Sequence, residues 1–346
     1  RLVQPAFHRQ RIAMYATTMT GLAADVRSRW NDGAVVDIHG EMLRLTLAIA
    51  GRTMFDVDVE RDARVVHEAL DLSLRMFALT VLPFGFLLEH SPLRWVREMR
   101  LARGRMDEMI ARLIAERRAV GADRGDLLAM LVAARDEGDG MTDAQLRDEI
   151  VTLLLAGHET TANALTWTWY LLSQNARVEA RLHAELDAVL GGRLPTIADV
   201  GRLDYLRLVL AESMRLYPPA WAVERRVVEP FEVGGYVIAP GTTVLASQYL
   251  VHRDPRWWPA PSRFDPDRWL GEEQERRPKF AYFPFGGGTR ICIGEQFAWT
   301  EGILVLATLA QRWRACYEAP HAPEPHPLVT LRPRGGLRMR VRRRAT

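Results

Sequence analysis

Residues 143–173 constrain the fold more than any other stretch. Thr142 is a good helix N-cap, and Gln145 stands three residues on, the spacing of a capping box. The apolar pattern that follows predicts one helix of about 45 Å at ~1.5 Å per residue. Its middle, residues 151–161, is apolar on nearly every side, so this helix has to cross the protein interior. Yet that middle carries Gly157-His158-Glu159-Thr160-Thr161. A glycine, an acid and two threonines are a poor choice for the centre of a buried helix. Such a conflict between local preference and environment marks a functional site.

The second unusual stretch is Phe285-Gly286-Gly287-Gly288-Thr289-Arg290-Ile291-Cys292-Ile293-Gly294. It holds one of only two cysteines, after three consecutive glycines and before another. An apolar run over residues 297–309 then reads as a helix. A cysteine in a tight turn at a helix start is placed to be a thiolate, because helix-end N–H groups lower the thiol pKa from its usual value of about 8.5. Such a thiolate serves as a nucleophile, a redox centre or a metal ligand, and the turn alone does not choose among them.

Elsewhere the first half reads as helices. Residues 11–30, 38–55, 61–77 and 93–120 all space their apolar side chains at the helical period. Residues 81–88, Val-Leu-Pro-Phe-Gly-Phe-Leu-Leu, form an apolar loop suited to a pocket wall, a membrane surface or buried packing. Past the long helix, residues 176–190 are amphipathic, and residues 205–217 make a helix stopped by Pro218-Pro219. From Trp221 the pattern turns to short strands at 227–228, 231–233, 236–238 and 243–246, with turns at Gly234-Gly235 and Pro240-Gly241. Residues 253–285 are rich in Pro, Trp and Asp and lack periodicity. An irregular stretch that long is functional or firmly packed. The expected fold class is mainly α with a smaller β portion, in one catalytic domain over residues 1–346.

The composition, 48% hydrophobic and 26% charged over 346 residues, is that of a globular chain. Two cysteines exclude a disulfide framework, a four-cysteine zinc site and an iron–sulfur cluster. No run of 18 apolar residues offers a membrane span. The chain opens on Arg1 as if in the middle of an element, so an N-terminal piece is expected to be missing. The net charge of +3 is mild, and Lys279 is the only lysine. Arginines crowd into residues 332–344, where they alternate with apolar residues as in an exposed edge strand with a solvated face. An acidic docking partner is the second reading of that tail, and nucleic acid is the least expected.

His158-Glu159 begins like a zinc-protease motif, but Ala162 stands where the second histidine belongs. The glycines of 286–294 carry no Gly-Lys-Ser/Thr for a phosphate loop, and no strand–glycine–helix unit for a dinucleotide is evident. A Cys–His nucleophile pair stays open, because any histidine can be brought near Cys292. Four motifs, taken in order, point elsewhere. They are Ala-Gly-x-Glu-Thr-Thr at 156–161, Glu-x-x-Arg at 212–215, Phe-Asp-Pro-Asp-Arg-Trp at 264–269 and Phe-x-x-Gly-x-Arg-x-Cys-x-Gly at 285–294. With them the whole chain resembles the cytochrome P450 family of heme-thiolate monooxygenases. The cysteine motif is highly specific, whereas Glu-x-x-Arg alone occurs on many helices.

The resemblance implies roles residue by residue. Cys292 is the expected axial ligand of heme b, with Gly286 and Gly294 shaping its turn, Phe285 shielding the sulfur and Arg290 pairing with a propionate. Arg225, ahead of Arg226, is the expected second propionate partner. Ala156 and Gly157 leave room for O2 beside the helix, and Glu159 with Thr160 form an acid–alcohol pair for proton delivery. Glu212, Arg215 and Arg268 form a structural triad. Leu154, Leu155, Ala220, Trp221, Val223, Val329 and Thr330 are expected near a hydrophobic substrate such as a fatty acid, terpenoid or polyketide. Electrons are expected from a separate ferredoxin or flavoprotein reductase, in a cytoplasmic setting. A peroxide-driven enzyme and a heme-thiolate sensor or binding protein are the alternatives.

Overall fold

The computed structural model describes residues 3–55, 91, 93–120, 127–133, 135–136, 139–271, 274 and 276–344. The helix expected over 61–77 and the apolar loop at 81–88 lie outside them. Helix α1 (Arg9–Arg29) leads through strand β1 (Val35–Asp37) into helix α2 (Ile38–Met54). Helices α3 (Arg94–Val120) and α4 (Leu127–Ala133) follow, then a short hairpin of β2 (Arg135–Asp136) and β3 (Asp139–Gly140). Next come α5 (Asp143–Gln174), α6 (Ala176–Leu190) and α7 (Asp204–Leu216). Strands β4 (Val223–Arg226), β5 (Phe231–Val233), β6 (Tyr236–Ile238) and β7 (Thr243–Ala246) precede the single turn α8 (Gln248–Val251). After an irregular stretch, α9 (Glu295–Ala310) and strands β8 (Trp313–Cys316), β9 (Pro325–Pro327), β10 (Leu331–Pro333) and β11 (Arg338–Arg343) complete the described chain.

The long helix starts where the capping box places it. The Thr142 hydroxyl accepts from the Gln145 N–H at 3.2 Å, and the Gln145 amide oxygen accepts from the Thr142 N–H at 2.8 Å. From Thr161 to Leu172 every residue of α5 is buried, Trp167 and Trp169 completely. Helix α2 runs along it. Thr46 donates to the His158 carbonyl at 2.9 Å, and a Cβ on Gly157 would stand 3.5 Å from the Met54 methyl. Helix α9, buried almost throughout from Phe297 to Ala310, closes the core from another side. Its Phe297 meets Tyr15 of α1 edge-on, with ring centroids 6.1 Å apart. This core keeps α5 and the start of α9 in fixed relation, which is what a site shared between them needs.

Two strand expectations need correction. The arginine-rich tail is no edge strand. Among the described residues, strand β11 is the middle of a three-stranded antiparallel sheet ordered β1–β11–β8, with Val35 opposite Arg340 and Arg340 opposite Cys316. Met339 and Val341 point into the core while Arg338, Arg342 and Arg343 stay exposed, so the alternation reports two faces and says nothing about edges. Likewise, pairing falls on Val223–Arg226 opposite Thr243–Ala246 and not on Val227-Val228. Strand choice there is set by the partner in the ladder, which overrides the β preference of two valines.

Candidate active site

Cys292 sits at the end of a loop that leads into α9. Gly286 has φ of +74°, a left-handed turn that glycine adopts without steric cost. A Cβ on Gly287 would lie 2.4 Å from the Phe280 ring, so only glycine lets the loop pass beneath it. The Cys292 N–H donates to the Phe285 carbonyl at 2.9 Å and closes the turn. Gly294 caps α9, accepting the Ala298 N–H at 2.8 Å. The surrounding walls push the Cys292 thiol up from its usual pKa, the Gly294 N–H pulls it down by less, and Glu295 adds to the rise. The expected lowering by helix-end donors is present but is outweighed by desolvation from the nearby walls, even though Cys292 keeps an exposed surface. A cation bound at the sulfur would reverse the balance, because metal coordination deprotonates a thiol.

One cavity of about 280 Å³ joins this loop to the anomalous centre of α5. Phe285, Gly286, Arg290, Cys292 and Gly294 line one side, and Ala156, Gly157, Thr160, Thr161 and Ala164 line the other. Ala220, Val223 and Arg225 border it. The structure thus brings together residues more than 120 positions apart in the chain. The cavity is not lined by Glu159, Leu154, Leu155, Trp221, Val329 or Thr330. Thr160 donates to the Ala156 carbonyl at 2.7 Å, within α5. Glu159 is buried and turned elsewhere, its Oε1 accepting from the Thr330 hydroxyl at 2.6 Å. Trp221 ties the backbone together by donating to the Leu328 carbonyl at 2.8 Å.

Behind the loop lies the expected brace. Glu212 is fully buried and receives two bonds from Arg215, one from Arg268 at 2.8 Å, the Trp269 indole N–H at 3.0 Å and the Asp265 N–H at 3.0 Å. Arg215 also donates to the carbonyls of His252, Pro261 and Arg263, and Arg268 to that of Pro259. The irregular stretch is thus firmly packed. His252 extends the brace to the cysteine loop, accepting the Phe283 N–H at its Nε2 at 2.9 Å. Burial, then Arg215, push this imidazole down to about 3, so it is a neutral acceptor.

Sequence reasoning missed Phe7, Met54, Gln248 and Trp299, which also line the cavity. Gln248 is the informative one. It is fully buried, and neither atom of its amide has a partner among the described residues. Its residue type carried no motif. A buried amide that shares a largely apolar cavity with Arg225, Arg290 and Cys292 fits a flat apolar ring bearing anionic groups and a thiolate-bound metal. The residues present therefore fit a heme.

Comparison with known proteins agrees. A family model described as Cytochrome P450 matches residues 1–337. The chain is 43% identical over 339 residues to cyclooctatin synthase of Streptomyces melanosporofaciens, covering 96% of this chain and 72% of that protein. Cyclooctat-9-en-7-ol 5-monooxygenase of the same organism is 38% identical, over 91% of this chain and 69% of the relative. Pentalenene oxygenase of Streptomyces avermitilis is 35% identical, over 99% and 76%. Among solved structures, the heme domain of cytochrome P450DA superposes with a TM-score of 0.88 at 30% identity, covering 99% of this chain and 76% of that one.

Proposed function

The chain belongs to the cytochrome P450 family and is a heme-thiolate monooxygenase of hydrophobic small molecules, fed by a redox partner, and we propose that its substrate is a cyclic terpenoid. The observation that carries this reading is the apolar cavity shared by Cys292 and the Ala156–Thr161 segment of α5. The terpenoid class is supported by the names of the relatives and by that wall chemistry, which offers shape and few polar anchors.

We assign the residues as follows. Cys292 holds the cofactor, taken to be heme b, which when bound supplies oxygen activation with electrons from the partner. The Gly294 N–H and the Phe285 carbonyl fix the sulfur's turn, so the ligand is oriented before anything binds. Arg290, Arg225 and Gln248 would hold the anionic groups of the ring. Ala156 and Gly157 leave space beside α5, where longer side chains would fill it. Thr160 lends its hydroxyl to the cavity by giving up its bond to the Ala156 carbonyl, and Glu159 supplies protons from behind. Ala220 and Val223 remain substrate-contact assignments, whereas Leu155, Trp221, Val329 and Thr330 do not line the cavity. A separate ferredoxin or flavoprotein reductase is the proposed donor, and a cytoplasmic setting suits a free thiolate.

The test is spectroscopic and then chemical. The reduced protein should give the carbon monoxide difference band of a thiolate-ligated heme, and Cys292→Ser should abolish it. With NADPH, a ferredoxin and its reductase, cyclooctat-9-en-7-ol should yield a product heavier by one oxygen atom. A heme spectrum without oxygenation of this or related cyclic terpenoids would overturn the substrate class. A wild type that binds no heme would overturn the assigned cofactor site.

A further inference from the structure

A line of buried hydrogen bonds runs away from the cavity behind Glu159. His39 opens α2, Asn163 sits one turn past Glu159 on α5, and Thr330 immediately precedes β10. All four side chains are buried, with Asn163 at 0% exposure, Glu159 at 4%, Thr330 at 6% and His39 at 7%. Thr330 Oγ1 lies 2.6 Å from Glu159 Oε1, Asn163 Nδ2 lies 3.0 Å from Thr330 Oγ1, and His39 Nε2 lies 3.1 Å from Asn163 Oδ1.

With Glu159 ionised, the chemistry fixes the direction of every link. A carboxylate only accepts, so Thr330 spends its single proton on Glu159. Its oxygen then accepts from the Asn163 amide NH2. That orientation turns the Asn163 carbonyl oxygen toward His39, whose Nε2 must carry a hydrogen and donate. Three donors in series therefore point at one carboxylate, and bonds aligned head to tail polarise one another. The other end is anchored on a different element, because His39 belongs to α2 and Thr330 to the segment before β10. Asn163 does not contact the cavity, and a helix position of this kind has no packing need for an amide.

We infer that His39, Asn163 and Thr330 are positioning residues for Glu159. Their chain fixes the resting position of the acid behind the cavity-lining Thr160 and thereby sets how well oxygen consumption is coupled to product. This rests on the monooxygenase reading for its consequence, though not for the existence of the chain. Thr330 so acquires a role behind the acid, in place of the substrate contact expected from sequence.

Two measurements separate the chain from the reading. First, nitrogen-15 NMR of the histidine-labelled protein, with and without heme, reports the His39 Nε2 signal, identified by its loss in His39→Gln. It should show a protonated, donating Nε2 that shifts in Asn163→Ala and also in Glu159→Ala, three links away. A signal unmoved by Glu159→Ala overturns the chain. Second, product and hydrogen peroxide are counted per NADPH with cyclooctat-9-en-7-ol as the probe. Thr330→Val, which keeps the shape, should raise peroxide severalfold at unchanged KM, and Thr330→Ser should restore coupling. If Thr160→Ala uncouples turnover while Thr330→Val does not, the positioning role is wrong and the monooxygenase reading stands. If the wild type forms no product, that reading fails on this probe, and the NMR arm alone decides the chain.

Discussion

Arg268 donates to Glu212 at 2.8 Å across 56 residues of chain, and Glu212 has no exposed surface. The Oε1 it contacts is shared with Arg215, also at 2.8 Å. Two cations on one buried carboxylate hold only because the surplus guanidinium N–H groups go to backbone carbonyls of the stretch that leads to Cys292. The brace thus converts two ion pairs into the shape of an otherwise irregular loop.

Removing its centre should be costly. Glu212→Gln keeps the volume but leaves two guanidinium groups buried without a counter-charge, a loss of about 3–5 kcal/mol. Urea unfolding of the variant should show that drop in stability, and heme content of purified protein should fall with it. A variant within about 1 kcal/mol of wild type would show that the pair is not energetically coupled to the fold.

His252 gives the loop an acid limit. Its folded pKa is pushed down to about 3 from 6.5, so between those values the unfolded chain binds a proton that the folded one refuses. Stability therefore falls as pH falls through this window, by up to ~1.4 kcal/mol per pH unit. His252→Leu should flatten that slope. It should also cost about 1–3 kcal/mol at neutral pH, because the Phe283 N–H loses its acceptor. Urea midpoints at pH 7, 6 and 5 check both, and identical slopes would refute the assignment.

What was legible in the sequence follows the range of the forces involved. Helix α5 was readable because its cap, apolar pattern and conflicting centre are all local, and the cysteine turn because glycines and a thiol are chemically conspicuous. The positions of Glu159 and Thr330 were not readable as a pair. Their contact is made by tertiary packing between α5 and the segment before β10, 171 residues away. Gln248 escaped for a similar reason: a glutamine says nothing until its neighbours are seen to leave its amide alone. The central place of β11 needed the partners on both sides, Val35 and Cys316, which its own alternation does not name.

Glu301 on α9 should weaken the fold as pH rises. It is fully buried, and burial holds its carboxyl well above the usual range, with the Thr161 hydroxyl opposing slightly. The folded form keeps a proton that the unfolded chain releases above about pH 4.5. The unfolded state then binds fewer protons, so stability declines with pH until the folded carboxyl itself ionises. Glu301→Gln is close in shape and cannot ionise. Melting temperatures at pH 6 and 8 should show a larger advantage for the variant at pH 8. An advantage that shrinks with rising pH would contradict the burial argument.

Gln248 predicts two effects of opposite sign. Without heme, its buried amide has lost water and gained no partner among the described residues, a net cost to folding. Gln248→Leu fills the same space without polar atoms, so the heme-free variant should match or exceed the wild type in stability. With heme, an amide donating to an anionic group is worth about 1.5–3 kcal/mol, so the same substitution should weaken heme binding by roughly 10–100-fold. Heme titration followed by absorbance, beside melting of the heme-free protein, reads the two effects separately. A parallel fall in both would mean that Gln248 merely packs. A rise in heme-free stability with unchanged heme affinity would mean that the amide faces the cavity but not the ring's anionic edge. The predicted crossing, more stable empty and weaker in binding, is what a residue kept for its ligand at the expense of the fold should show.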